Sequence, residues 1–455
     1  MLNITDLRGR PFAPDRDLPR AEVDVTAAVE KITPILADVR QRGVAAVLAA
    51  GERFDGVRPD QLRVPASVLA QALIDLDPSV RVALEESIRR ARMVHQSQRV
   101  EDTVVQLADG AHVENHWVPI QRVGLYVPGG RAVYPSSVVM NVVPAQAAGV
   151  ESLAVATPPQ REFNGQPHPV TLAACALLGV DEVYAAGGAQ AIAMFAYGVR
   201  EAERAEDNTA ETGSAESGWV CPPVDLITGP GNVYVAAAKR AVMGTVGIDA
   251  EAGPSEIAVI ADETANPAWV AADLISQSEH DPMAASVLIT HAESLAQEVN
   301  DQINQQVPGL PLEDQIREAL TGPQSGILVV EDLPAAITVA NAYATEHLEI
   351  HTADPEGVAE QITSAGAVFI GGYSPVPLGD YSAGSNHVLP TSGTARHSSG
   401  LNTLSFMRLQ QRIRYSASGL SAVTPGIVAL AESEGLRAHA EAVLARQLTP
   451  GAHHN

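Results

Sequence analysis

The sequence predicts an α/β protein built of two parallel-sheet lobes with a cleft between them. Three observations predict it. Apolar, strand-like runs alternate with helical runs from residue 123 to residue 370. Three of those strands end in glycine-rich turns that open helices: Pro128-Gly129-Gly130, Gly187-Gly188 and Gly229-Pro230-Gly231. A chain of 455 residues also exceeds what one ordinary core organises.

The elements follow in order. Residues 1–20 are mixed in charge, with no apolar stretch of the kind a signal peptide needs. Apolar residues at helical spacing predict helices over 25–42 and 78–99. Residues 104–118 alternate across Asp109-Gly110, which predicts a hairpin. The first β-α series has strands at 123–127, 152–156, 182–186, 226–228 and 246–249, with helices at 136–148, 170–178, 189–197 and 232–243. The second has strands at 257–261, 286–290, 327–330, 348–351 and 368–370, with helices at 267–280, 294–306, 334–344 and 355–364. From residue 401 short helices return, with one strand near 413–415. Residues 200–218 are rich in Glu, Ala, Thr and Ser without apolar period, and read as a solvated, mobile insertion.

Composition narrows the function. A net charge of −25 argues against nucleic acid and against an anionic membrane surface. Cys175 and Cys221 form no C-x-x-C pair, so neither a disulfide framework nor a cysteine-built zinc site is expected. No apolar run is long enough to span a membrane, and a reducing cytoplasm is the simplest home.

Four clusters can carry chemistry. Gln277 and His280 stand three apart at the end of a predicted helix, so they share a face; His280 equally suits the helix-end carbonyls. Asp380 opens a Gly- and Ser-rich loop after a strand, where α/β proteins place sites, though a turn-forming Asp reads the same. Glu346 and His347 pair a carboxylate with an imidazole where a helix gives way to a strand. Glu434 and His439 lie in a C-terminal helical segment that suits a solvated face when taken alone. Together they read as a mixed nitrogen/oxygen metal site beside a proton-transfer pair. Asp249, beyond the third glycine turn, is placed to reach a ribose hydroxyl.

The strings GLYVPGG at 124–130, VYAAGGAQ at 183–190, GPGN at 229–232 and AGPSE at 252–256 resemble histidinol dehydrogenases. So do SQSEH at 276–280, NAYATEH at 341–347, and GDY at 379–381 running through NHVLP at 386–390. The resemblance covers essentially the whole chain in order; only the insertion at 200–218 is longer than the family leads one to expect. It implies two Rossmann-like parallel-sheet lobes, one discontinuous, with helical N-terminal and C-terminal arms. The implied division is an N-terminal arm over 1–20, a first lobe from 21–123 and 255–400, a second from 124–254, and a C-terminal arm over 401–455.

The resemblance also implies roles. Gln277, His280, Asp380 and His439 look like the ligands of one zinc ion per subunit, His439 coming from the partner in a homodimer with exchanged arms. Those four residues, with Ser255, His347 and Glu434, look like the substrate contacts. His347 resembles the general base and Glu346 the residue that activates water. Tyr126, Gln190 and Asn232 resemble the NAD contacts, and His387 lines the pocket. The implied reaction is the NAD-dependent oxidation of L-histidinol to L-histidine through the aldehyde. Three rival readings remain: a zinc hydrolase, a two-lobed binding protein, and a purely structural histidine set.

Overall fold

The computed structural model describes residues 1–21, 24–129, 133–201, 218–251 and 253–447. Its strands, in chain order, begin with β1 (Ile4–Asp6), β2 (Thr103–Ala108), β3 (Ala111–Pro119) and β4 (Arg122–Tyr126). Next come β5 (Ser152–Thr157), β6 (Val183–Ala185), β7 (Val199–Arg200), β8 (Trp219–Cys221), β9 (Leu226–Thr228) and β10 (Gly247–Ile248). The last are β11 (Glu256–Ala261), β12 (Ala285–Thr290), β13 (Gly326–Val329), β14 (His347–His351), β15 (Ala367–Ile370) and β16 (Met407–Tyr415). The chain divides into two compact units, Met1–Gln98 with Ile120–Phe406 and Arg99–Pro119 with Met407–Asn455.

The first unit holds two parallel sheets. One runs β10-β9-β4-β5-β6 and the other β1-β13-β12-β11-β14-β15. β11 and β12 are buried along their length and β5 over its last four residues, as expected when helices cover both faces. The helix Gly188–Tyr197 shows why such segments fold inward. Ile192, Met194 and Phe195 are wholly buried, and each such side chain contributes about 1.5–3 kcal/mol.

Packing revises the expected division in three places. The helices Val25–Arg42 and Val44–Phe54, expected with the first lobe, share their core with the β4 sheet: Ile32, Val39 and Val47 join Tyr126, Ala156 and Ile192. Their apolar stripes fit that sheet's helical layer, and sequence periodicity cannot say which sheet a stripe will face. The hairpin β2–β3 also leaves the first lobe. In the second unit β3 pairs antiparallel with β16 over its whole length, Leu409 opposite Trp117 and Ile413 opposite Val113. That strand is longer than the 413–415 segment expected, because charged residues such as Arg408, Arg412 and Arg414 mask its alternation. The N-terminal arm is also more than an arm, since β1 forms the edge of the six-stranded sheet beside β13.

Most of the acidic insertion, 202–217, lies outside the described residues. No helix among the described residues is long and apolar enough to cross a membrane.

Candidate active site

The two sheets of the first unit meet the site with opposite ends. The glycine turns follow the carboxyl ends of β4, β6 and β9. From the other sheet come the amino ends: Ser255 precedes β11, Glu346 precedes β14, and His347 is the first residue of β14. The helix Pro267–Ser278 runs back to that same amino edge before β12, bringing Gln277 and His280 with it. The expectation that Asp380 marks a carboxyl-edge site is therefore corrected. Asp380 sits in a short helix, Val376–Tyr381, that returns the chain to a cavity at the amino edge.

That cavity has a volume of about 630 Å³. Asn232, Ser255, His280, Glu346, His347, Asp380 and His387 all line it. The helix expected to reach His280 ends at Ser278. Gln277 is thus in the last turn and almost wholly buried, while His280 lies beyond the cap and turns to the cavity. Both amide atoms of Gln277 lack a hydrogen-bond partner among the described residues. Buried polar atoms are rarely left so unless something else satisfies them.

Glu256 organises the Glu346–His347 pair through its backbone. Its N–H donates to Glu346 Oε2 at 2.9 Å, and Ser255 Oγ donates to the same oxygen at 2.6 Å. The carbonyl of Glu256 accepts from His347 Nδ1 at 3.1 Å. That bond puts the ring proton on Nδ1 and leaves Nε2 as the basic nitrogen. Burial pushes the Glu346 carboxyl up to about 7, against the pull of Ser255, the Glu256 N–H and His280. Burial pushes His347 down to about 4, although Asp380 favours its charged form. Glu346 Oε2 and His347 Nδ1 are 3.6 Å apart, and the opposed shifts make this a contact of a neutral imidazole rather than an ion pair.

Asp380 behaves differently. Burial alone would raise its pKa, but the hydrogen bond and charge of His387, with His347 and His280 nearby, hold it below the usual value. His387 Nδ1 lies 3.4 Å from Asp380 Oδ1, and its Nε2 shares a hydrogen bond with Ser137 Oγ at 3.2 Å. The carboxylate therefore stays ionised, as a metal ligand must.

On the glycine-turn side, the buried Tyr126 hydroxyl accepts the Gly188 N–H at 3.1 Å, and Gln190 is buried beside the same turn. Asn232 caps its helix, accepting from the N–H groups of Tyr234 and Val235. Asp249 is not free for a ribose. It pairs with the buried Lys239 and accepts the Gly229 N–H at 2.8 Å, while Lys239 Nζ donates to the Gly229 carbonyl at 2.9 Å. The pair braces the third glycine turn instead. A helix-borne lysine ten residues beyond Gly229 was the signal for it.

Glu434 and His439 belong to the second unit, where both are exposed. Sequence reasoning missed Glu256 and Arg20. Arg20 pairs with the Glu256 carboxylate at 3.0 Å, stacks over the Tyr343 ring and donates to the Tyr343 carbonyl.

The histidinol dehydrogenase family model matches residues 18–447. A histidinol dehydrogenase of Thermobifida fusca is 60% identical over 446 residues, 98% of each chain. One of Corynebacterium diphtheriae is 55% identical over 449 residues, 98% of this chain and 97% of the relative. The crystal structure of histidinol dehydrogenase from Elizabethkingia anophelis superposes with a TM-score of 0.87 at 32% identity, covering 98% of each chain. The chain belongs to the histidinol dehydrogenase family, zinc- and NAD-dependent oxidoreductases of the last steps of histidine biosynthesis.

Proposed function

We propose that this chain oxidises L-histidinol to L-histidine in the cytoplasm, with the cavity of the first unit as its active site. The observation that carries the reading is the array Ser255–Glu346–Glu256–His347. It sets two proton acceptors of different character side by side at one cavity.

Gln277, His280 and Asp380 would hold the zinc ion, with His439 of the partner subunit as fourth ligand. The orphaned Gln277 amide and the ionised Asp380 suit such a nitrogen/oxygen donor set. Tyr126, Gln190 and Asn232 would contact NAD. When bound, zinc would orient the substrate's amine and imidazole nitrogens, and NAD would accept hydride.

The chain's own residues move the protons. Nε2 of His347 takes the hydroxyl proton as the carbinol carbon loses hydride, which gives the aldehyde. Glu346 then takes a proton from water as the water oxygen adds to the aldehyde carbon, and His347 returns its proton to the aldehyde oxygen, which gives the hydrate. A carboxyl with its pKa near neutrality suits that exchange. A second loss of hydride and proton yields the acid. Ser255 and Glu434 of the partner subunit would hold the substrate's polar groups.

Incubation of the purified protein with L-histidinol and NAD, followed by chromatography, tests the assignment. L-Histidine is the expected product, and accumulation of free aldehyde alone would contradict the role given to Glu346.

A further inference from the structure

A second group of ionisable side chains lies within the core of the six-stranded sheet. Asp273 comes from the helix Pro267–Ser278, and Glu349 and His351 come from β14. Alternate strand residues share a face, so Glu349 and His351 point the same way as His347. The helix packs on that sheet with an apolar cluster that includes Ile257, Val259, Val270 and Leu274. Asp273, Glu349 and His351 are 8%, 0% and 5% exposed.

The geometry of the trio is that of a ligand set. Their donor atoms lie within 4.8 Å of one another. His351 Nε2 is 3.4 Å from Glu349 Oε2 and 3.8 Å from Asp273 Oδ2. A tetrahedral ion with bonds of about 2.0–2.1 Å holds its ligand atoms roughly 3.3 Å apart. Glu349 Oε1 accepts the Val376 N–H at 2.8 Å, which fixes the carboxylate with Oε2 towards His351. The Asp273 and Glu349 carboxyls share a side-chain hydrogen bond, while His351 Nε2 has no hydrogen-bond partner among the described residues.

The charges agree. Among the described residues, His351 is the only ion-pair partner of either carboxylate. Burial pushes Asp273 up to about 8 and Glu349 up to about 7, and pushes His351 down. The protein alone must therefore hold protons here, and a divalent cation would replace them and balance both carboxylates.

We propose that Asp273, Glu349 and His351 form a buried site for a divalent transition-metal ion such as zinc, separate from the cavity donors. Its work is positional. It joins the helix that carries Gln277 one turn further on to the strand that begins with His347. On the proposed function, those two elements carry a zinc ligand and the general base.

Zinc titration of the full-length, metal-free protein, with bound zinc counted after gel filtration, tests this. The wild type should retain one zinc per chain more than His351→Gln and Glu349→Gln proteins whose circular dichroism matches its own. Equal zinc content in the wild type and a folded variant overturns the proposal and leaves the trio a proton-bridged core network. Cobalt gives a readout free of trio variants. A His280→Ala protein, disabled at the cavity, should still show the visible absorption of one bound Co²⁺ per chain. Its absence overturns the proposal even if the trio variants do not fold.

Discussion

Glu346 and His347 are adjacent in sequence, yet their hydrogen bonds place them in different settings, which suit the separate tasks proposed for them. His347 is neutral and tautomerically fixed by the Glu256 carbonyl. Glu346 carries a carboxylate held on one oxygen by Ser255 and the Glu256 N–H. Glu346→Gln should slow oxidation of the aldehyde on the order of 10²-fold or more while leaving histidinol binding nearly unchanged. Single-turnover kinetics started from either substrate would check this, and equal loss in both steps would remove the assigned role. The Ser255 hydroxyl lowers the Glu346 pKa, so Ser255→Ala should raise it further. The carboxylate is the working form, and a raised pKa costs activity on the acid side. The acid limb of the kcat profile should therefore move to higher pH in Ser255→Ala; a limb that stays or moves down contradicts the linkage. Glu346 and His347 were legible in the sequence because acid and imidazole stand together at a helix-to-strand boundary. Glu256 was not, since it acts through backbone atoms that any residue supplies. Arg20 was not, because its partner is more than two hundred positions away.

At the scale of elements, the third glycine turn shows how a buried ion pair can fix a loop. Lys239 and Asp249 are 2% and 6% exposed at their side chains and clamp Gly229 from both of its backbone polar groups. Breaking one partner of a buried pair leaves an uncompensated charge. Lys239→Met should cost about 3–5 kcal/mol of stability, and the double variant Lys239→Met, Asp249→Asn should recover part of it. Denaturant melts of the wild type, Lys239→Met, Asp249→Asn and the double variant would decide, and a double variant worse than the sum of the singles would contradict the clamp. Gly229 has φ of +117°, and a Cβ there would run into the Tyr126 carbonyl. Gly229→Ala should therefore destabilise the turn severely. The glycines, the alternating strands and the helix starts were legible, because strand period, turn chemistry and caps are local; the helices expected to run to 280 and 364 stop at Ser278 and Ala359. The amino-edge placement of the site was not. It depends on which end of each sheet faces the cavity, and that is decided by packing between segments far apart in the chain.

For the whole molecule, family membership covers the chain nearly end to end, and the proposed site draws on a partner. Subunit mixing tests that exchange. His439→Ala and Glu346→Gln proteins should each be inactive alone. Exchanged arms give every heterodimer one intact site, so an equal mixture, reassembled, should recover about a quarter of wild-type activity. No recovery in a mixture shown to contain heterodimers would place His439 in its own chain's site or outside any site. The two-lobed α/β architecture was readable from alternating strand and helix patterns. The grouping of helices 25–54 with the β4 sheet was not, since an amphipathic stripe does not name its partner.

On the proposed function, one cavity carries out two successive oxidations with a bound metal. NADH yield per L-histidinol, measured with zinc-replete protein, after chelation, and after zinc is restored, tests it most directly. About two NADH per histidinol are expected, lost on chelation and regained with zinc. A yield near one, or a yield indifferent to chelation in folded protein, would contradict it.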